Sequence, residues 1–324
     1  MLPEIELGTS GLRSPVIGFG CAALLGRTGK QDSLRALAAA WDEGVRLFDT
    51  ARSYGYGESE ALLGGFLKGR RDQAVVVTKF GILPARQSPL KNAAKSLARA
   101  VLAVAPSARA LIRKGASGEF TANQFTIPVL RQSVEESLAR LGTDRIDVLF
   151  LHAAPAGVLD QSDLLEEMGK LVQQGKVRVA GLSGNPDVVE LALDRKTRPL
   201  AAMQFPCNVF DLAAARSFGA KNSSGSILMA NHPFGGPMRV QQCREILRSL
   251  AANPQIDSAL REKLTPMDDA LLADAVFSCI LRGTGIHIVI PAMMKVEHVR
   301  TNVRAAAHSR FSLAEIEQIR SALA

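Results

Sequence analysis

The sequence predicts an α/β chain folded as a (β/α)8 TIM barrel with an N-terminal hairpin and two long rim insertions. Three observations point there. Eight short apolar runs rich in β-branched residues recur along the 324 residues. Amphipathic segments are interleaved with them, most ending at a glycine. The length suits one barrel of about 250 residues plus insertions.

The expected strands are Pro15–Phe19, Val45–Asp49, Ala74–Lys79, Asp147–His152, Val177–Ser183, Ala201–Pro206, Ser226–Ala230 and His287–Pro291. Several are unbroken apolar stretches (VVVT, VLFL, HIVI), as parallel strands covered on both faces require. Helices are expected over Ser33–Glu43, Val129–Leu141, Asp163–Gln174, Asp268–Arg282 and Val296–Ala307, with an added one over Ser312–Leu323. Ser312 and Glu315 have the spacing of a capping box. Trp41 falls on the inner face of its helix and reads as core.

One unit, residues 1–324, is expected. Residues 1–13 read as a hairpin lidding the barrel bottom. Residues 82–126 form an insertion after the third barrel strand, with an Ala-rich helical stretch broken at Pro106. Residues 232–267 form a second excursion after the seventh. An open dinucleotide-binding sheet is the competing fold, because Gly18-x-Gly20-x-x-Ala23 follows a strand. That motif must run straight into a helix, and LLGRTGKQD intervenes. In the barrel, Gly18 and Gly20 are expected to let backbone approach the pocket floor.

Hydrophobic residues make up 47% and charged residues 22%, ordinary for a large core. No apolar run approaches the roughly 20 residues of a membrane span, and MLPEIELGTSGLR does not read as a secretory leader. A cytoplasmic protein with no membrane partner is expected. The four cysteines and five histidines are scattered, so no metal site is expected. The net charge of +8 is concentrated. Residues 82–126 hold Arg86, Lys91, Lys95, Arg99, Arg109, Arg113 and Lys114 against Glu119 alone. A nucleic-acid binder is therefore not indicated. The basic segment reads first as a solvated helical pair, and second as a pocket wall favouring anionic substrates.

The chemistry gathers at strand ends. Asp49 closes the second barrel strand, Lys79 the third and His152 the fourth, all on the rim where barrels carry their active sites. Tyr54 follows Asp49 by five residues. Singly, such an aspartate is a turn residue, such a lysine is solvated and such a histidine is core. Jointly they make one device. A phenol ionises near pH 10, and an ammonium beside it lowers that value. A carboxylate holds the ammonium in place, and an imidazole can hydrogen-bond a substrate oxygen. The set suits proton transfer to a carbonyl oxygen while hydride reaches its carbon. Tyr56 reads as pocket lining.

These pieces, FDTA-x-x-YG-x-G-x-SE over Phe48–Glu60, then TK at 78–79 and LH at 151–152, resemble the aldo-keto reductase family in its order, and the resemblance covers nearly the whole chain. It implies a nicotinamide-dependent oxidoreductase with Asp49, Tyr54, Lys79 and His152 as catalytic tetrad and Tyr54 as general acid/base. It implies further that Ser183 and Gln204 hold the nicotinamide carboxamide. The family's asparagine after that serine is Gly184 here, leaving Asn185 nearby. Where the family stacks a tyrosine under the nicotinamide this chain has Asn231, with Phe234 and Phe210 as the other aromatics. After the eighth strand Glu297 and Asn302 match cofactor contacts, and Lys295 and Arg300 suit a 2′-phosphate. NADP(H) is thus favoured, with NAD(H) the alternative. The expected substrate is a small aldehyde or ketone and its alcohol. An NAD-dependent sugar (aldose) dehydrogenase of the same family is the runner-up, and a cofactor-sensing regulatory subunit with little turnover is the rival from another class. The oligomeric state stays open.

Overall fold

A computed structural model describes residues 2–8, 10–26, 29–84, 120–222 and 225–324. Eight parallel strands form the barrel: β3 (Gly18–Gly20), β4 (Leu47–Asp49), β5 (Val75–Phe80), β8 (Ile146–His152), β9 (Val177–Ser183), β10 (Leu200–Pro206), β11 (Ile227–Asn231) and β12 (Ile288–Ile290). They neighbour one another in that order. The ring closes where Ile17 bridges Val289 in parallel and the Gly20 amide donates to the Pro291 carbonyl at 3.0 Å. Each apolar run named above becomes one strand, with ends shifted by a few residues.

Gly18 and Gly20 belong to this seam, not to a pocket floor. A Cβ on Gly20 would stand 3.1 Å from the Pro291 carbonyl oxygen, and one on Gly18 would stand 2.5 Å from the Leu47 side chain. Their smallness lets the first and last strands meet.

Alternation along the strands sorts the core into two layers. Leu47, Val75, Val77, Val148, Phe150, Val179, Ala202, Ile227, Met229, Ile288 and Ile290 fill the lumen. Residues such as Phe19, Phe48, Val76, Leu149 and Leu182 face out into the helical shell. At the amino end of the strands, β1 (Glu4–Glu6) and β2 (Arg13–Pro15) pair antiparallel. Beside them Leu7 and Leu12 join the lumen cluster. The hairpin therefore seals the end away from the candidate site.

The shell is α1 (Lys30–Asp42), α2 (Ser59–Leu67), α3 (Ile127–Leu141), α4 (Ser162–Gln173), α5 (Pro186–Asp194), α6 (Ala213–Lys221), α7 (Pro237–Ala252), α8 (Ser258–Lys263), α9 (Asp269–Leu281), α10 (Val296–Ala307) and α11 (Leu313–Leu323). Thr126 caps α3, Pro128 sits in its first turn, and left-handed Gly142 ends it. Both halves of the Ser312–Glu315 capping box are made. The excursion over 232–267 is largely helical, supplying α7 and α8. The insertion over 82–126 leaves and returns through a short ribbon, β6 (Leu83–Pro84) against β7 (Phe120–Thr121). Its Pro106-broken stretch and its seven basic residues lie outside the described residues. Trp41 is half-buried, stacked on Phe48 at 6.3 Å with the Arg46 guanidinium 4.0 Å above its ring. No helix among the described residues is long and apolar enough to cross a membrane.

Candidate active site

The pleat decides which polar side chains meet. Leu47 in β4, Val75 and Val77 in β5, and Val148 and Phe150 in β8 point into the lumen. Two residues further along each strand, the same face carries Asp49, Lys79 and His152. Val179 and Ala202 likewise lead to Ser183 and Gln204, and Met229 leads to Asn231. All six cap an apolar lumen at its carboxyl end. Register keeps them level, since His152 pairs with Ser183 and Ser183 with Gln204 on adjacent strands.

Lys79 is 1% exposed. Its ammonium donates to Asp49 Oδ1 at 2.6 Å and to the Thr50 carbonyl at 2.9 Å. Burial pushes its pKa down, but Asp49 and Tyr54 push it up further, so the net shift is upward and the charge is kept. Stripping water from an unpaired ammonium would neutralise it. The same nitrogen lies 4.6 Å from the centre of the Tyr54 ring, so its charge acts directly on the phenol. His152 meets Tyr54 edge-on, with ring centres 5.8 Å apart. The structure thus brings Asp49, Tyr54, Lys79 and His152 together.

One expectation is corrected. Lys79 does pull the Tyr54 pKa down, but burial pushes it up by more, and Asp49 adds to the rise. The net shift is upward, so the phenol holds its proton firmly. The lysine alone does not set the balance, because loss of water around the phenol outweighs it. His152 is held down to about 3 by burial and by the Lys79 charge. It is therefore a neutral imidazole, and its Nδ1 has no hydrogen-bond partner. Cys21, fully buried in the short turn after β3, adjoins the group; burial and Asp49 hold its thiol well above the usual range. Nothing in the sequence flagged it, since its neighbours come from other strands.

The expected cofactor residues divide between two places. Ser183 Oγ donates to Gln204 Oε1 at 2.7 Å. Gln204 is fully buried, and its Nε2 has no partner. A buried amide donor left unpaired is costly, and a carboxamide oxygen at the lumen mouth would satisfy it. These residues fit a nicotinamide. Asn185 is exposed at the start of α5, whereas the Gly184 amide is taken by the Gln204 carbonyl at 3.0 Å. Asn231 Oδ1 lies 2.9 Å from His232 Nδ1. Phe234 leans on Phe277 at 5.5 Å, and the Arg239 guanidinium lies 4.9 Å from the Phe210 ring centre.

The second place is the start of α10, whose first amides receive no side-chain cap from Lys295. A bare helix N-terminus suits a phosphate. Lys295 pairs with Glu297 at 3.5 Å, His298 approaches the same carboxylate at 3.9 Å, and Arg300 pairs with Glu43, the residue after α1, at 3.4 Å. Asn302 is buried on the inner face of α10.

Behind the Tyr54 turn lies a buried polar group that sequence reasoning missed. Arg52 and Glu60 are 5% and 1% exposed. Arg52 donates to Ser133 Oγ at 3.0 Å and to the Glu136 carboxylate, both on α3. Thr78 Oγ1 donates to Glu60 Oε1 at 2.7 Å. Arg52 and its partners lie 81 and 84 residues apart in sequence, and Glu60 and Thr78 18 apart, so no local spacing reveals them. The faint signal is Ser133 and Ser137 interrupting the apolar stripe of α3.

A parallel barrel carrying these groups at its carboxyl mouth has the architecture of an enzyme. The model of the aldo/keto reductase family matches residues 16–324, and the chain belongs to that family, whose members are generally NAD(P)-dependent. It is similar to a D-threo-aldose 1-dehydrogenase of Pseudomonas sp., 32% identical over 213 residues, covering 60% of this chain and 56% of the relative. It is also similar to an L-galactose dehydrogenase of Arabidopsis thaliana, 30% identical over 198 residues, covering 58% and 51%. The matched stretch thus spans about half the length of these relatives. A Bacillus halodurans aldo-keto reductase in its holo form shares the fold, with TM-score 0.71 at 22% identity, over 99% of this chain and 96% of that one.

Proposed function

We propose that this chain interconverts a small aldehyde or ketone and its alcohol, with Tyr54 as general acid/base. One observation carries the proposal. A fully buried lysine, held by Asp49 at 2.6 Å, lies against the one phenol that faces His152.

The geometry supports a role for each residue. In reduction the protonated Tyr54 gives its proton to the carbonyl oxygen. Lys79 stabilises the phenolate that remains, and Asp49 holds Lys79 in place. In oxidation the same phenolate takes the alcohol proton. His152, neutral, can hydrogen-bond the substrate oxygen and orient its carbon. A nicotinamide dinucleotide, when bound, would supply or accept the hydride. Ser183 and Gln204 would hold its carboxamide, and Lys295, Glu297, Arg300 and Asn302 its adenosine phosphate end. The exposed cations Lys295 and Arg300 beside a helix N-terminus favour NADP(H).

A second reading has its own support. Glu297 lies among these cations, and a carboxylate there suits a free ribose 2′-hydroxyl. The two relatives named above are called an aldose and a galactose dehydrogenase, which favours a sugar as the alcohol substrate. Binding titrations with both dinucleotides separate the two. The enzyme proposal itself is tested by Tyr54→Phe. Carbonyl reduction is expected to fall by about 100- to 10,000-fold with dinucleotide affinity unchanged. Undiminished turnover would refute it and favour a cofactor-sensing role.

A further inference from the structure

We propose that Arg52 is a positioning residue for the proton-carrying phenol, locking the turn that bears Tyr54 onto one face of α3. This rests on the oxidoreduction just proposed. It begins from a difference in support. Asp49 and Lys79 stand on rigid strand ends, whereas Tyr54 opens the short helical turn Tyr54–Gly57. Inside that turn Gly55 and Tyr56 are both left-handed, at φ 57°. A side chain at Tyr56 makes that conformation unfavourable, so the surroundings must impose it.

The constraint comes from α3, at both ends of the turn. At one end the buried guanidinium of Arg52, two residues before Tyr54, reaches Ser133 Oγ at 3.0 Å and the Glu136 carboxylate. At the other, the Arg140 guanidinium of α3 donates to the Gly57 carbonyl. Ser133, Glu136 and Arg140 follow one another at helical spacing, so a single face of α3 holds the turn. A guanidinium this deeply buried is costly unless paired, and both side-chain hydrogen bonds of Arg52 among the described residues go to α3. Displacing a proton donor by about 1 Å can cost on the order of 100-fold in rate, which makes such a clamp consequential.

Arg52→Met is expected to lower kcat for carbonyl reduction by about 10- to 100-fold while dinucleotide affinity holds. Arg52→Lys, which keeps the charge, should recover part of the loss. The phenol gives a readout that mere stabilisation would not move. The chain has only two tyrosines, Tyr54 and Tyr56, so in a Tyr56→Phe background phenolate absorbance titrates Tyr54 alone, without turnover. Arg52→Met in that background should drop the titration midpoint toward that of a free tyrosine, as water reaches the loosened phenol. A lowered melting temperature with the parent's midpoint and kcat would overturn the proposal. Should Arg52→Met not fold, Glu136→Gln loosens the same clamp from its half-exposed end. A midpoint shifted downward there supports the proposal, and an unmoved one overturns it. A parent chain that turns over no carbonyl would defeat the oxidoreduction, yet the titration would still decide the clamp.

Discussion

At the scale of single residues, burial and charge settle the protonation states. His152, depressed to about 3, is neutral throughout the ordinary range. Tyr54 is raised above its usual 10 by burial. The rate of carbonyl reduction under saturating substrate is therefore expected to stay flat between about pH 5 and 8 and to fall only above about 10, as the phenol loses its proton. A histidine step near pH 6.5 in that profile would contradict the assignment. Stability has a sign of its own. Because the folded form disfavours the His152 imidazolium, the unfolded chain binds more protons below the ordinary value of 6.5. Its contribution is complete above 6.5 and is lost as pH falls from there toward about 3. His287 acts in the same direction, since burial lowers it and its Nδ1 accepts from the Leu228 amide at 2.9 Å.

At the scale of elements, the residues that hold the site are those that let elements approach. Gly64 of α2 lies against the end of α3, where an added Cβ would stand 2.6 Å from the carbonyl oxygens of Arg140 and Leu141. Gly64→Ala must push α2 from α3, at a cost of about 1–3 kcal/mol measurable by urea unfolding. The same displacement should reduce turnover, because α2 carries Glu60 and the turn before it carries Tyr54. This also explains why the sequence shows strands more plainly than helices. The strands announce themselves as apolar runs. Helix α2 carries Gly64 and Gly65, poor helix formers, and the need for Gly64 exists only against α3. Helices α5 and α7, absent from the expected helices, each begin at a proline, Pro186 and Pro237, a usable start signal.

At the scale of the whole molecule, the barrel separates stability from chemistry. The hairpin seals the amino end of the lumen through Leu7 and Leu12, while the polar cap lies at the carboxyl end. Leu7, fully buried, is expected to cost about 2–5 kcal/mol as Leu7→Ala, with kcat little changed under conditions where the protein stays folded. A parallel loss of kcat would mean that the two ends are coupled.

The order of apolar runs and the family's motif fragments, read from the sequence alone, determined the barrel and the four residues at its mouth. Both are local: strand patterning has a period of two, Asp49, Lys79 and His152 stand at the ends of their runs, and Tyr54 follows Asp49 by only five residues. Only the tertiary structure decided that the Tyr54 phenol holds its proton more tightly than a free tyrosine, that Gly18 and Gly20 serve the closing seam, and that Arg52 is tied to α3. Burial and packing across 80 residues depend on where distant segments meet in space, and no spacing along the chain encodes that distance.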